Sequence, residues 1–361
     1  MRVALIGPGD FAERGPLPAI ALTPGIELVA VQSRSRAKAE SAAERHGAAT
    51  VCATVAEVCA RPDVDALFIV TPPAPHPQLL REVIEAGKPF IVDKPVTLGS
   101  RDLAPLVRLA EERGVRHAVD HEFRYDPSMI AIADLVRGGA LGRVRTSIYD
   151  LVATFANDPA FASQRFWSFH HSASEGGGLL PQVASHHIDL HLYCLGAIQA
   201  CGGYLATLVS ERPTAPEQPG GPDGPMRPVD VEDCAALAAR LDSGGAATMT
   251  FTHVATSMPD LRWLIHGDAG SLAFRGYSGW FDGTLTLAQG WMGTPEVVSI
   301  PERVRRSSAP GLNGWIQDLI CELLLDFADS LGGGGGPHRF ATLADELIVW
   351  ELIEQWRSMG G

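Results

Sequence analysis

The first 120 residues alternate short apolar runs with helix-like stretches, and this alternation restricts the fold more than any other feature of the chain. The apolar runs are Arg2–Gly7, Ile26–Ser33, Ala66–Val70, Pro89–Asp93 and Arg116–Asp120. They are continuous rather than alternating, as parallel strands covered on both faces are. Arg36–Gly47 is an Ala-rich helix stopped by Gly47, and Ser100–Gly114 has a capping serine and a terminal glycine. Strand and helix in turn predict a doubly wound α/β (Rossmann) domain over residues 1–122.

The turn after the first run reads Ile6-Gly7-Pro8-Gly9-Asp10-Phe11-Ala12. Gly7, Gly9 and Ala12 match G-x-G-x-x-[G/A] between a strand and a helix, the context in which the pattern binds a dinucleotide. Glycines let the backbone approach a pyrophosphate, and the helix start, with Asp10 and Phe11, offers unpaired N–H groups. The second run ends in Gln32-Ser33-Arg34-Ser35-Arg36, with no carboxylate for a ribose 2′-hydroxyl. A hydroxyl and guanidinium groups suit a 2′-phosphate, so Ser33 and Arg34 predict NADP in preference to NAD. The alternative is that they only begin an exposed polar helix.

Beyond residue 122 the texture changes. Longer strand patterns cover Gly142–Phe155, Cys201–Ser210, Glu232–Ala255 and Leu261–Gly276, with hairpin signals at Ser243-Gly244-Gly245 and Asp268-Ala269-Gly270. Helices are expected at Pro127–Arg137, Val183–Leu195, Trp315–Ser330 and Leu343–Arg357. The expectation is an α+β domain over residues 123–361 with a large, mainly antiparallel open sheet, its final helix 343–357 able to pack back on the first domain. From Pro213 to Pro228 every third residue is proline, read as a solvated loop between strands; Gly332–Gly336 reads as a flexible linker.

The bulk numbers exclude several function classes. A chain of 361 residues with 46% hydrophobic and 20% charged residues builds two or three globular cores. Its net charge of −13 argues against nucleic acid or an anionic membrane as partner. Six cysteines without a C-x-x-C pair suit buried thiols in a reducing compartment. With no signal-like leader and no membrane-length apolar run, a cytoplasmic protein is expected.

Further motifs follow the strands. Thr71-Pro72-Pro73-Ala74-Pro75-His76 comes directly after the apolar run Ala66–Val70, and Asp93-Lys94-Pro95 stands at the end of the next run, Pro89–Asp93. Gly176-Gly177-Gly178 leads through Gln182 to His186, His187 and Asp189, while Val231–Leu237 and His266–Leu272 lie further on. Together, in this order and over nearly the whole chain, they resemble the Gfo/Idh/MocA oxidoreductases, the glucose–fructose oxidoreductase and inositol dehydrogenase family. The resemblance implies an N-terminal Rossmann domain and a C-terminal open sheet that makes a homodimer or homotetramer. It implies that Thr71, Pro72, His76, Asp93 and Lys94 border the cofactor, with a cis Lys94–Pro95 bond.

The family's E-K-P stands here as Asp93-Lys94-Pro95, keeping the family's central lysine. Independently, Lys94 lies just past the carboxyl end of a parallel strand, where open α/β sheets bind ligands and where an amine can act as acid or base. The family's second-domain pattern, roughly G-G-G-x-x-x-D-x-G-x-H-x-x-D, places the catalytic histidine at His186. Gln182 replaces its aspartate and Ala184 a glycine. One helical turn separates Gln182 from His186, so both face one way, but glutamine cannot ionise or stabilise an imidazolium. Lys94 then carries more of the proton transfer, and Gln182 only orients. Asp189 is expected to position the substrate or the histidine. Arg124 and Tyr125, in His121–Pro127, are candidates for lining the substrate cleft, with hinge packing the equal alternative. Trp167 is either a pocket wall or core. A metal is not expected: Ile188 stands where a zincin would need glutamate, and His187 reads as structural.

The resulting expectation is an NAD(P)-dependent enzyme that moves a hydride between nicotinamide and a secondary alcohol or ketone of a sugar, polyol or related small molecule. Two rivals keep the cofactor. One is an enzyme that retains NAD and performs no net redox, of glycosidase or lyase type. The other is a non-catalytic sensor, against which the retention of both Lys94 and His186 speaks.

Overall fold

The computed structural model describes residues 1–156, 162–217, 221–277, 280–334 and 336–360. β1 (Arg2–Ile6) carries Val3, Ala4, Leu5 and Ile6 into the core, none more than 1% exposed. α1 (Asp10–Arg14) and α2 (Pro16–Leu22) follow, the second opened by Pro16, whose missing N–H is no loss at a helix start. After β2 (Glu27–Gln32), Ser35 caps α3 (Arg36–His46) by accepting the Lys38 N–H, and Gly47 ends it in the left-handed region at φ 75°. The alternation continues through β3 (Thr50–Cys52), α4 (Val55–Ala60), β4 (Ala66–Ile69), α5 (His76–Glu85), β5 (Phe90–Asp93), α6 (Ser100–Arg113) and β6 (His117–Asp120).

These six strands form one parallel sheet in the order β3-β2-β1-β4-β5-β6. All five expected strands are present. β3 is an addition: three residues at the sheet edge are too few to write a pattern in the sequence. The strand order reverses between β1 and β4, the point at which such sheets open a crevice at their carboxyl edge.

The next elements are α7 (Pro127–Arg137), β7 (Val144–Val152), the single-turn α8 (Ala162–Arg165) and α9 (Ser185–Leu195). There follow β8 (Ile198–Ala206), β9 (Glu211–Pro213), β10 (Met226–Pro228), β11 (Cys234–Leu241) and β12 (Ala246–Thr252). β13 (Asp260–Gly267), β14 (Gly270–Tyr277), β15 (Trp280–Gln289) and β16 (Glu296–Val297) complete the sheet. Its order is β16-β15-β14-β13-β7-β12-β11-β8, antiparallel except between β7 and β12. Side chains alternate across it. On β12, Ala247, Met249 and Phe251 are buried, whereas Ala246, Thr248 and Thr250 are exposed, the mark of a sheet with one covered face. The proline-rich segment is tied at both ends, because β9 and β10 pair as an antiparallel ribbon; Pro219, within its period, lies outside the described residues.

The chain closes with α10 (Gly311–Leu331) and α11 (Leu343–Met359). It divides into two compact units, Met1–Asp126 with Arg303–Ile348, and Pro127–Glu302 with Val349–Gly361. Residues 303–348, expected with the second domain, thus return to the first unit, and its boundary falls at Asp126 rather than residue 122. The reason lies in α10. Trp315 Nε1 donates to Asp126 Oδ2 at 2.9 Å, Gln317 Nε2 donates to the Arg14 carbonyl at 2.6 Å, and the side chains of Leu319, Ile320, Leu323 and Phe327 are fully buried. The last helix, expected as a whole from 343 to 357, contributes residues to each unit.

In the second unit the core centres on Trp263, 1% exposed, whose ring meets Tyr149 edge-on with centroids 5.4 Å apart and whose Nε1 donates to Ser147 Oγ at 2.9 Å. Trp263→Ala is expected to destabilise this unit by about 3–5 kcal/mol through lost burial and a residual cavity. Urea unfolding followed by circular dichroism measures it, and a loss below ~1 kcal/mol would contradict this placement of the core.

Candidate active site

The carboxyl edge of the parallel sheet is shaped by close backbone approach. Gly7 has φ +87°, and a Cβ there would stand 2.5 Å from Thr71 Cγ2 and 3.0 Å from Thr71 N. Only glycine fits. Its N–H donates to the Gln32 carbonyl at 3.0 Å and the Val70 N–H donates to that of Ile6 at 2.8 Å, which ties the ends of β1, β2 and β4 together. Gly9 is the opposite case: a Cβ there would meet nothing within 4 Å. Gly9 is the N-cap of α1 and no side chain caps that helix. Ala12, fully buried, lets α1 sit close to the sheet. Asp10 is exposed and Phe11 half-buried. The Thr71 hydroxyl is buried with no partner among the described residues, and Pro72 beside it is exposed. An open backbone cradle, uncapped N–H groups and an orphaned hydroxyl fit a bound dinucleotide phosphate. At the end of β2, Ser33 Oγ accepts the Ser35 N–H at 3.2 Å, Arg36 pairs with Glu40 at 2.7 Å, and Arg34 is exposed without a partner among the described residues.

One strand beyond Thr71 along the same edge stands Lys94, half-buried, followed by a cis peptide bond to Pro95. Buried side chains grip both polar groups of the next residue. The Val96 N–H donates to Glu346 Oε1 at 3.3 Å, and the Val96 carbonyl accepts from His76 Nδ1 at 2.9 Å. Glu346 in turn accepts from His121 Nε2 at 2.8 Å, both side chains being 1% exposed. His76 is 0% exposed, and burial drives its imidazole down to about 4. It is therefore neutral at pH 7, with its proton on Nδ1, where the carbonyl requires a donor. Expected at the cofactor, His76 instead faces inward and fastens the loop that carries Lys94.

Around Lys94 lies a group of acids that motif reading did not assemble. Asp93 and Asp120 end β5 and β6 as register partners. Burial pushes the Asp93 carboxyl up to about 7, opposed by Lys94. Burial, then the neighbouring charges of Glu122 and Asp93, pushes Asp120 well above the ordinary range. Burial also raises Glu122, to about 7, again opposed by Lys94. The available signal was an acid at the last position of two adjacent apolar strands. Arg124 and Tyr125 follow on the same 3₁₀ turn. Arg124 Nη1 donates to the Arg339 carbonyl at 3.3 Å and the Tyr125 hydroxyl donates to Asp326 Oδ2 at 2.6 Å, so both bond to the returning segment around α10.

In the second unit the triple glycine has a packing cause. Gly176 and Gly178 have φ +83° and +110°, while a Cβ on Gly177 would stand 2.6 Å from the His170 carbonyl group. This lets Glu232 cap the following helical turn, accepting the Leu180 N–H at 3.0 Å and Arg357 Nη2 at 2.9 Å. That turn, Leu180–Ala184, is π-helical and runs directly into α9, so the helix expected from Val183 begins earlier and is wound more widely where Gln182 sits. Gln182 Nε2 donates to the Gly176 carbonyl at 2.7 Å. His186 and Asp189 are buried on α9, at 7% and 1% exposure. His187 accepts or donates at Tyr149 Oη, and His191 Nδ1 donates to the His187 carbonyl at 3.0 Å; both belong to the aromatic core. Among the described residues no group of three His, Cys, Asp or Glu side chains is arranged to hold a metal. Trp167 is committed to the proline-rich ribbon: its Nε1 donates to the Pro228 carbonyl at 2.9 Å, and the Arg227 guanidinium lies 3.3 Å over its ring.

A Rossmann crevice with a lysine on its edge, joined to an open-sheet unit, defines a dinucleotide-binding oxidoreductase. Residues 1–121 match the model of the oxidoreductase family with an NAD-binding Rossmann fold, GFO/IDH/MocA, and residues 129–273 match the GFO/IDH/MocA C-terminal domain. An uncharacterized oxidoreductase of Synechocystis is 31% identical over 75% of this chain and 71% of its own length. A dTDP-3,4-didehydro-2,6-dideoxy-alpha-D-glucose 3-reductase of Streptomyces violaceoruber is 36% identical over 55% of each chain. In fold, a solved levoglucosan dehydrogenase in complex with NADH and L-sorbose superimposes with a TM-score of 0.82 at 23% identity, covering 100% of this chain and 97% of that one. The chain belongs to the GFO/IDH/MocA family.

The raised carboxyls predict the sign of a pH effect. Asp93 and Glu122 keep protons in the folded protein up to about 7 that they release lower when unfolded. The native state therefore binds more protons between the ordinary carboxylate range and about pH 7, and stability falls as pH rises through that window. Asp93→Asn is expected to flatten that slope. Urea midpoints measured at pH 5, 6, 7 and 8 test it, and a stability that rises over the window would refute it.

Proposed function

We propose that this protein moves a hydride between NADP(H) and the secondary alcohol or ketone carbon of a sugar, polyol or similar small molecule. The observation that carries the reading is Lys94 at the carboxyl edge of the sheet, beside the glycine crevice, with the next backbone unit gripped by Glu346 and His76. A bound nicotinamide supplies the hydride chemistry. Lys94 takes the alcohol proton on oxidation and returns it on reduction, and His186 polarises the oxygen. Gln182, un-ionisable and bonded to Gly176, orients without exchanging protons. Asp189, Arg124 and Tyr125 position the substrate side; Trp167 contributes through the ribbon it holds. The carbohydrate class is supported by relatives named as a levoglucosan dehydrogenase and a sugar 3-reductase.

NADP rather than NAD is supported by the exposed guanidinium of Arg34, without a partner among the described residues, and by Ser33 in place of an acid. A homodimer or homotetramer through the open sheet face, where Ala246, Thr248 and Thr250 are exposed, suits their small size. Among the described residues no disulfide joins the six cysteines, which suits the cytoplasm.

Nicotinamide absorbance read across a panel of sugars and ketosugars tests the activity. Lys94→Ala is expected to lower kcat by roughly 10²–10⁴-fold while dinucleotide affinity changes little. Unchanged turnover would end the assignment of Lys94. By calorimetry, Arg34→Ala is expected to weaken NADP binding about tenfold or more and leave NAD nearly unaffected. Tighter binding of NAD than NADP by the unaltered protein would overturn the preference.

A further inference from the structure

The ribbon of β9 and β10 carries two arginines whose charge the surrounding side chains do not take up. Arg212 and Arg227 are register partners, so their side chains leave the same face of the ribbon. Like charges set opposite each other in an antiparallel pair repel, and an anion beside both relieves that repulsion. Arg212 is 7% exposed. Its Nη1 donates to the Ala156 carbonyl at 3.0 Å, whereas Nε and Nη2 have no acceptor among the described residues and are not closed off from solvent. The Arg227 guanidinium lies 3.3 Å over the Trp167 ring. Stacking occupies its flat face and leaves the N–H groups on its rim for an acceptor. A third polar group borders them. The Ala156 N–H donates to the His253 carbonyl at 3.1 Å, so a single residue ties His253 to Arg212. His253 is 6% exposed, and its Nδ1 is buried with no partner among the described residues. Burial, then the charge of Arg212, drives its imidazole down to about 3, so it is neutral at pH 7.

The acids of this region are engaged elsewhere. Asp233 accepts the Leu208 and Val209 N–H groups at 2.8 Å each, Asp230 accepts the Ala173 N–H at 2.8 Å, and Asp223 pairs with Arg165 at 3.7 Å. Glu211, next to Arg212 on β9, leaves from the opposite face. The charge of Asp233 reaches Arg212 without pairing with it, which offsets part of one guanidinium and leaves the other uncompensated. A buried cation without a bonded counter-ion is costly, and a ligand that brings the missing charge is held firmly there.

We propose that Arg212 and Arg227 form an oxyanion site in the second unit, which takes a carboxylate or phosphate group carried by the substrate. Guanidinium forks present paired N–H groups that match the oxygens of either group, and His253 borders them. The chain ties this site to the turn before α9. Trp167 holds both strands of the ribbon, its backbone N–H donating to the Pro213 carbonyl at 2.8 Å and its Nε1 to that of Pro228 at 2.9 Å. Three residues on, the His170 carbonyl accepts the Gly178 N–H at 3.0 Å, at the head of the turn that carries Gln182 and leads to His186. The substrate class is therefore an acidic or phosphorylated sugar rather than a neutral one. The inference rests on the sugar-oxidoreductase reading for assigning the anion to the substrate. No bond forms or breaks at the site; it binds and orients.

The first test needs no turnover. The unfolding midpoint of the intact protein, saturated with NADP to fill the nucleotide cradle, is measured in phosphate, acetate and chloride at equal ionic strength. Phosphate or acetate is expected to raise it above the chloride value, and the ion that does so identifies the oxyanion. Each guanidinium is expected to strengthen anion binding roughly tenfold or more, so most of the rise disappears in Arg227→Gln, an exposed position, and in Arg212→Gln where that variant folds. No rise in the unaltered protein, or the same rise in Arg227→Gln, overturns the inference. Turnover gives the second readout, in a panel that pairs neutral sugars with their carboxylate and phosphate forms. The anionic member of a pair is expected to have a kcat/KM about 10–100-fold higher, through KM, and to lose that advantage in Arg227→Gln. Equal kcat/KM across the pairs overturns the substrate assignment while leaving hydride transfer intact. If no sugar is turned over yet the ion effect and its loss in the variant are seen, the hydride-transfer reading fails and the oxyanion site stands.

Discussion

The approach of Gly7 to Thr71 is the constraint on which the nucleotide-binding unit rests. With 2.5 Å between a Cβ at position 7 and the threonine methyl, the ends of β1 and β4 meet as closely as backbones allow. The strand order reverses at that junction, so the two following loops diverge and leave a crevice instead of covering one another. Gly9 opens onto it, α1 presents its uncapped start, and the next strand along brings Lys94 to the same edge. A larger residue at position 7 would part β1 from β4 and displace every group on that edge.

Holding Lys94 at a sheet edge calls for a rigid loop. Here the rigidity comes from buried polar groups. His76 reaches from the start of α5 and Glu346 from α11, and each takes one of the two backbone polar groups of Val96. Such buried bonds contribute little net stability, since desolvation offsets most of their attraction, but a missing partner would leave a buried group unsatisfied. Their effect is on geometry: a displaced loop would break several of these bonds together.

Much of this arrangement was legible in the sequence, for local reasons. Five parallel strands announced themselves as apolar runs, the glycine pattern marked the cradle, and Asp93-Lys94-Pro95 marked the edge. What escaped was what distance in sequence conceals. Glu346 lies 250 residues from the amide it accepts, and nothing around it in the chain advertises that bond. His76 sits in a motif next to the crevice yet turns into the core, because burial of its ring against Val96 decides its direction. The return of residues 303–348 to the first unit is written in the apolar face of α10, but an amphipathic stripe does not say which surface it covers. The π-helical winding at Gln182 follows from Glu232 and the glycines, a tertiary cause that periodicity does not record.

The Gln182 bond to Gly176 bears on how freely this position could change. A carbonyl oxygen must be met by a donor, and the side-chain amide supplies one at 2.7 Å. An ionised aspartate there would set a negative charge against that oxygen, and its shorter stem would fall short of the old contact. Exchange of Gln182 for an aspartate therefore requires the glycine turn to be rebuilt in the same step. The amide and its turn constitute a coupled pair, and a lone change of that side chain to a carboxylate would strand the glycine carbonyl.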